Sequence, residues 1–196
     1  MRDVLFVDNR DSFVYNIVEL WRRFVNRSLT ILSISETEGV DLRRFAGILL
    51  SPGPGLPSEL PSLMRLIDDN CHLVVPRPLL GVCLGHQAIA EYFGARLRCL
   101  ETPCHGMSSA LAKVRSEGVM QHISEGETVG RYHSWVVDTE RLPECLRPLA
   151  MSREDDQLMA LQHCHLPLWG VQFHPESIIT QGGERYLLNW ARILAE

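Results

Sequence analysis

The sequence predicts an α/β fold: an open, mostly parallel twisted sheet flanked by helices, with a mixed, partly antiparallel C-terminal part. Three observations predict it. Short apolar runs, of the kind buried on both faces of a parallel sheet, alternate with helical patterns from Val4 to Phe93. Glycine- and proline-rich turns close two of these runs at their C-terminal ends, where open α/β sheets bind ligands. From Ala95 onward the runs become shorter and more strand-like. A chain of 196 residues suits one domain, 1–196, with ample length to bury a core.

Val4 to Val7 reads as the first strand. It ends in Asp8-Asn9-Arg10-Asp11-Ser12, a polar loop rich in helix-capping residues. Phe13, Ile17, Leu20, Trp21 and Phe24 then recur close to the helical period, which predicts an amphipathic helix. Leu29 to Ile34 and Phe45 to Leu50 are the next strand candidates, and Leu60 to Ile67 reads as a helix. Leu73-Val74-Val75 is apolar, and Pro76 and Pro78 punctuate it. A further apolar run ends at Val82, a helical pattern follows over Gln87 to Phe93, and Gly94 offers a C-cap. Strands are expected over Arg96 to Leu100, Ala110 to Val114, Val129 to Tyr132, Met159 to His163 and Leu168 to Phe173. Turns fall at Glu154-Asp155-Asp156, read as a solvated acidic turn, and at Leu166-Pro167. A last helix from about Gly183 to Ala195 turns Tyr186, Leu187, Trp190 and Leu194 inward, and Trp21 and Trp190 read as core.

Composition narrows the function. Hydrophobic residues make up 45% and charged residues 22%, ordinary for a globular protein, and the net charge of −5 argues against a general nucleic-acid binder. No apolar run reaches the roughly 18–20 residues that span a bilayer. The apolar stretch near the N-terminus is too short for a signal peptide. The six cysteines are irregularly spaced, as expected of reduced thiols in a cytoplasmic protein. Neither Cys99, Cys104 and His105 nor His163-Cys164-His165 has a recognised metal-ligand spacing, so no metal or cofactor is expected.

The chemistry concentrates in three blocks. In Gly81-Val82-Cys83-Leu84-Gly85, glycines stand two residues before and two after a cysteine at a strand-to-helix junction. Such a sharp turn crowds its own backbone and needs small neighbours. It presents the thiol at a helix N-terminus, where exposed N–H groups and the helix dipole favour a thiolate. In Val171-Gln172-Phe173-His174-Pro175-Glu176, His174 and Glu176 lie two apart, and Pro175 favours an extended His174. An imidazole and a carboxylate that emerge on one side are what a general base and its orienting partner require. The third block, Ser51-Pro52-Gly53-Pro54-Gly55, lacks the Gly-Lys-Ser/Thr of a phosphate loop. Taken singly, each block has an ordinary reading: a buried cysteine, a surface turn, a rigid loop. Together they point to a Cys83–His174–Glu176 nucleophilic triad. Its oxyanion would be held by the N–H of Leu84 and a second backbone donor, Gly55 in preference to Gly53, since Pro54 has no N–H.

These blocks resemble those of class I, triad-type glutamine amidotransferases. Within that family the pattern is most similar to the glutaminase subunits of anthranilate synthase and of 4-amino-4-deoxychorismate (para-aminobenzoate) synthase. Asp8-Asn9-x-Asp11-Ser12-Phe13-x-Tyr15-Asn16 and Arg131-Tyr132-His133-Ser134 strengthen the resemblance, which runs nearly end to end. It implies hydrolysis of L-glutamine through a Cys83 thioester, with ammonia passed to a chorismate-utilising synthase subunit. It also implies that Gly53, Pro54, Gly55 and Leu84 line the oxyanion and glutamine site, and that Gln87, Ser134 and Trp135 hold the backbone groups of glutamine. Three positions depart from the family pattern: Trp135 replaces a leucine, Met107 a lysine and Arg10 a tyrosine. None belongs to the triad. Two other functions fit the same fold: a γ-glutamyl hydrolase or cysteine peptidase without a synthase partner, and a regulatory subunit without catalysis. His86 and His133 are expected to support structure rather than transfer protons.

Overall fold

In the computed structural model, which describes residues 2–194, one sheet of nine strands runs through the molecule. Its strands are β1 (Val4–Asp8), β2 (Leu29–Ser33), β3 (Gly47–Leu50), β4 (Leu79–Val82), β5 (Leu97–Ala112), β6 (Thr128–Val137), β7 (Leu146–Ser152), β8 (Leu158–His163) and β9 (Leu168–Val171). The helices are α1 (Val14–Phe24), α2 (Pro61–Cys71), α3 (Leu84–Tyr92) and α4 (Glu184–Ile193). Across the sheet the order is β2-β1-β3-β4-β9-β8-β7-β5-β6. The pairings from β2 to β9 are parallel and the rest antiparallel. The expected doubly wound half and its antiparallel continuation are thus both present.

Every residue of β3 and β4 is buried, which explains why those segments are apolar runs rather than alternating patterns. Two apolar layers cover the sheet. One gathers α1 and α4, with Trp21 and Trp190 edge-to-face at 5.7 Å. The other gathers α2 and α3 through Leu63, Ile67, Ala88 and Ile89.

Several expectations need correction. The runs at 96–100 and 110–114 belong to one bulged strand, β5, paired with β6 from Leu97↔Val137 to Ala110↔Thr128. Strand β7 carries Pro148, a residue that argues against a strand interior, and the ladder shifts register beside it. Phe24, assigned to the inner face of α1, is 40% exposed, while Val14 and Val18 are buried there instead. Val74 and Val75 are exposed and lie in a loop. Of the last helix, Tyr186, Leu187, Trp190 and Leu194 are buried as expected, and Ala195 falls outside the described residues.

The parallel strands aim their C-terminal ends at one edge of the sheet. There β4 passes into α3 through Cys83, whose φ of 50° and ψ of −99° lie outside the ordinary regions for an L-residue. The turn closes because its glycines have no side chains. A Cβ on Gly81 would sit 2.7 Å from the backbone N of His86, and one on Gly85 would sit 2.8 Å from Leu50 Cβ. Gly81→Ala should therefore force apart β4 and α3, destabilising the protein by about 1–3 kcal/mol or more. A thermal melt should show a midpoint lowered by roughly 5–10 °C.

Candidate active site

Three loops meet at this edge, each following a parallel strand. Cys83 follows β4, residues 51–55 follow β3, and residues 172–176 follow β9. The loop after β1 braces the second: Asn9 N–H donates to Ser51 Oγ and Asn9 Nδ2 to the Ser51 carbonyl, both at 2.9 Å. Gly53 packs so tightly between Leu84 and Asn9 that a Cβ would come within 2.5 Å of Leu84 Cδ2 and 2.7 Å of Asn9 Cβ. Gly55 has φ +78°, a conformation that favours glycine. No hydrogen bond among the described residues uses the N–H of Gly53, Gly55 or Leu84. Leu84 N–H opens α3 and has no intrahelical acceptor.

His174 is held from its backbone. Its N–H donates to the Gly130 carbonyl at 3.0 Å, and its carbonyl accepts Thr180 Oγ1 at 2.6 Å. Its Nδ1 lies 2.7 Å from Glu176 Oε1. The Glu176 side chain is wholly buried and that of His174 is 3% exposed. The other ring nitrogen, Nε2, is buried and has no partner at ordinary hydrogen-bonding distance. Burial alone would lower the His174 pKa. The neighbouring Cys83 sulfur and the Glu176 carboxylate outweigh it and raise the pKa to about 11, favouring an imidazolium. Tyr132 lies edge-on to the imidazole at 5.0 Å and Phe13 at 6.0 Å, so aromatic walls exclude water from the pair. Cys83 is itself buried.

A cavity of about 230 Å³ opens beside the thiol, lined by Gly53, Gly55, Cys83, Gln87, Tyr132, His133, Ser134 and Trp135. The structure therefore brings together the expected residues Gly53, Gly55, Gln87, Ser134 and Trp135. Pro54 and Leu84 do not line this cavity. Pro54 instead faces a separate hollow with Arg10, Ile34 and Leu60, and the Leu84 side chain packs in the apolar layer under α3. Any contribution of Leu84 to the cavity has to come from its backbone. A larger cleft of about 610 Å³, lined by Arg2, Arg22 and Arg27, is formed by the residues before β1 together with the end of α1, the start of β2 and the loop between them, and holds none of these residues.

Two groups in the site were not anticipated from the sequence. Gln172 is fully buried, and its Nε2 donates to Cys83 Sγ at 3.6 Å. It stands two before His174, so the alternation that linked His174 to Glu176 also puts Gln172 on their side. Asp155 lies in the exposed turn expected there, and from it grips the buried Arg131 guanidinium with both carboxylate oxygens, at 3.0 and 2.9 Å. Arg131 in turn donates to His133 Nε2 at 3.2 Å, so His133 carries its proton on Nδ1 and directs it to the Trp135 carbonyl at 3.1 Å.

His133 and His86 are both buried. Burial, reinforced by the Arg131 charge, lowers His133 to about 3, and burial lowers His86 to about 4. Both are therefore neutral near pH 7. Because their folded pKa values are depressed, their contribution to stability is present above about 6.5 and is lost as pH falls toward 4. The raised His174 has the opposite sign: its contribution is present below about 6.5 and is lost as pH rises through about 11, so it does not offset that acid loss. Urea unfolding at pH 7 and pH 4.5 should show stability lower at the acid value by on the order of 4 kcal/mol.

The family model "Glutamine amidotransferase class-I" matches residues 5–194. The chain is 40% identical to an anthranilate synthase component 2 of Mycobacterium tuberculosis, over 95% of this chain and 80% of that one. It is 36% identical to an aminodeoxychorismate synthase component 2 of Serratia marcescens, over 95% of this chain and 98% of that one. Among solved structures, a glutamine amidotransferase from Thermotoga maritima superposes with a TM-score of 0.73 at 20% identity, covering 98% of this chain and 81% of that one, which is a likeness of fold.

Proposed function

We propose a function that starts from one fact: the chain belongs to the class-I glutamine amidotransferase family. It is the glutaminase subunit of a chorismate-aminating synthase. It hydrolyses L-glutamine to glutamate and ammonia, and the ammonia passes to a separate synthase subunit. The whole chain, 1–196, serves as one amidotransferase domain. The observation that carries this reading is the strained Cys83 turn facing the His174–Glu176 pair beside a small polar cavity.

The geometry supports the following steps. His174 accepts the Cys83 proton, and Glu176 stabilises the resulting cation. The thiolate attacks the carboxamide carbon of glutamine. The oxyanion is met by the N–H of Leu84 and of Gly55, with Gly53 as the alternative second donor, all three without an acceptor among the described residues. His174 returns the proton to the departing ammonia, and water then cleaves the thioester. Gln87, Ser134 and the backbone at Trp135 hold the ammonium and carboxylate of the substrate. A cavity of about 230 Å³, below the roughly 300–1,000 Å³ of drug-sized ligand sites, suits a free amino acid better than a peptide. The intact triad speaks against a purely regulatory subunit.

The partner follows from the relatives. Those named above carry the names of second components of anthranilate and aminodeoxychorismate synthases, and both products come from amination of chorismate. Tyr15, Met107 and Ile178 are exposed apolar residues; Tyr15 and Ile178 are close in sequence to Phe13 and Ser177 of the site, and Met107 pairs with Arg131, next to Tyr132, across the β5–β6 ladder, which supports docking of the synthase subunit over this edge. No membrane or nucleic acid enters the reaction. A reduced nucleophilic thiol is compatible with the cytoplasm, and among the described residues no helix is long and apolar enough to cross a membrane.

Glutamate release by the purified chain tests the reading. Cys83→Ala should reduce it by about 10⁴-fold or more. The isolated chain should be slow, and adding the organism's chorismate-aminating subunit should raise the rate and yield an aromatic amine that identifies the branch. Release that persists in Cys83→Ala, or stays absent with every candidate partner, contradicts it.

A further inference from the structure

An amide side chain beside a thiol can present either a donor or an acceptor. Which one it presents decides whether a thiolate is favoured or opposed. Gln172 is fully buried, so solvent does not choose for it. We propose that Gln172 is the hydrogen-bond donor that stabilises and positions the Cys83 thiolate, and that Gln87 and the Trp135 main-chain carbonyl lock its amide in that orientation. The proposal rests on the reading of Cys83 as the nucleophile.

The lock can be followed bond by bond. The Trp135 carbonyl can only accept. Gln87 Nε2 donates to it at 2.8 Å, which fixes the amide of Gln87. The same nitrogen donates to Gln172 Oε1 at 3.1 Å. Gln172 therefore turns its oxygen toward Gln87 and its Nε2 toward Cys83 Sγ, at 3.6 Å. A flip of Gln172 would set two NH₂ groups against each other and a carbonyl oxygen against the sulfur. The carbonyl that anchors this chain is itself held by His133 Nδ1–H, behind which stand Arg131 and Asp155. The Arg-Tyr-His-Ser block thus acts on the nucleophile from a distance, through the orientation of two amides.

The other ionisable groups around Cys83 are accounted for. His174, from the loop after β9 and backed by Glu176, is the imidazolium partner. His133 on β6 and His86 on α3 are neutral, and Arg131 lies behind His133. Gln172 adds a neutral donor at the sulfur. Losing it should make the thiolate harder to form.

The test is the pH dependence of Cys83 alkylation by iodoacetamide in the full chain. It is read by mass on the Cys83 peptide, so that the exposed Cys99 and Cys164 do not count. In Gln172→Leu, shown to be folded by its melting curve, the alkylation midpoint should rise by about one pH unit. Gln172→Glu, which places a carboxylate against the sulfur, should raise the midpoint further. An unchanged profile in either folded variant overturns the proposal. Should neither variant fold, the native protein decides. The side-chain amide NMR resonance of Gln172 should move when Cys83 is alkylated, and a resonance indifferent to that change overturns the proposal. Alkylation needs neither glutamine nor a partner, so this outcome is separable from that of the glutaminase assay.

Discussion

Cys83 occupies a backbone conformation, φ 50° and ψ −99°, that costs an L-residue on the order of 1–3 kcal/mol. The surrounding structure maintains it. Strand β4 pairs in parallel with β3 on one side and β9 on the other, and α3 starts at the next residue. With both elements fixed, the chain must reverse within one residue, and Gly81 and Gly85 supply the room. The same turn lifts the thiol to the sheet edge and leaves Leu84 N–H unpaired at the helix start. In the proposed mechanism, nucleophile and oxyanion donor both follow from one strained residue at a strand-to-helix junction.

Electrostatics then separates three buried histidines that share an intrinsic pKa. His174 meets a carboxylate on one nitrogen and faces a thiol, and is favoured as a cation. His133 meets a guanidinium, His86 is desolvated beside the Gly170 backbone, and both remain neutral. Burial acts on all three in the same direction. The difference lies in the partner each imidazole is given, which the fold decides by placing Glu176 two residues after His174 and Arg131 two residues before His133.

The architecture was legible because a doubly wound sheet writes itself as apolar runs and helical periods, and β1, β3 and β4 are such runs. The placement of Cys83 at a strand-to-helix turn and of Glu176 beside His174 was legible because the spacing has local causes: glycines at a crowded turn, alternation along an extended segment. What escaped depended on contacts between distant segments. Pro148 concealed β7, since a ladder with a register shift tolerates a residue that a regular strand does not. The Asp155–Arg131 pair escaped because nothing near Asp155 in sequence announces a buried arginine from β6. The side chains of Pro54 and Leu84 turn away from the cavity, because a motif fixes which residues form a loop and not which faces they present.

The central claim is that Cys83 forms a covalent glutamyl intermediate that His174 and Glu176 help to make and to resolve. Rapid acid quench of the wild-type chain with labelled glutamine, followed by mapping of the label, tests it most directly. The account predicts that the label is found on the Cys83 peptide as an alkali-labile thioester, and that none accumulates in Glu176→Gln if acylation becomes the slow step. Label on another residue, or glutamate formed at full rate with no label at Cys83 under any quench time, would contradict it.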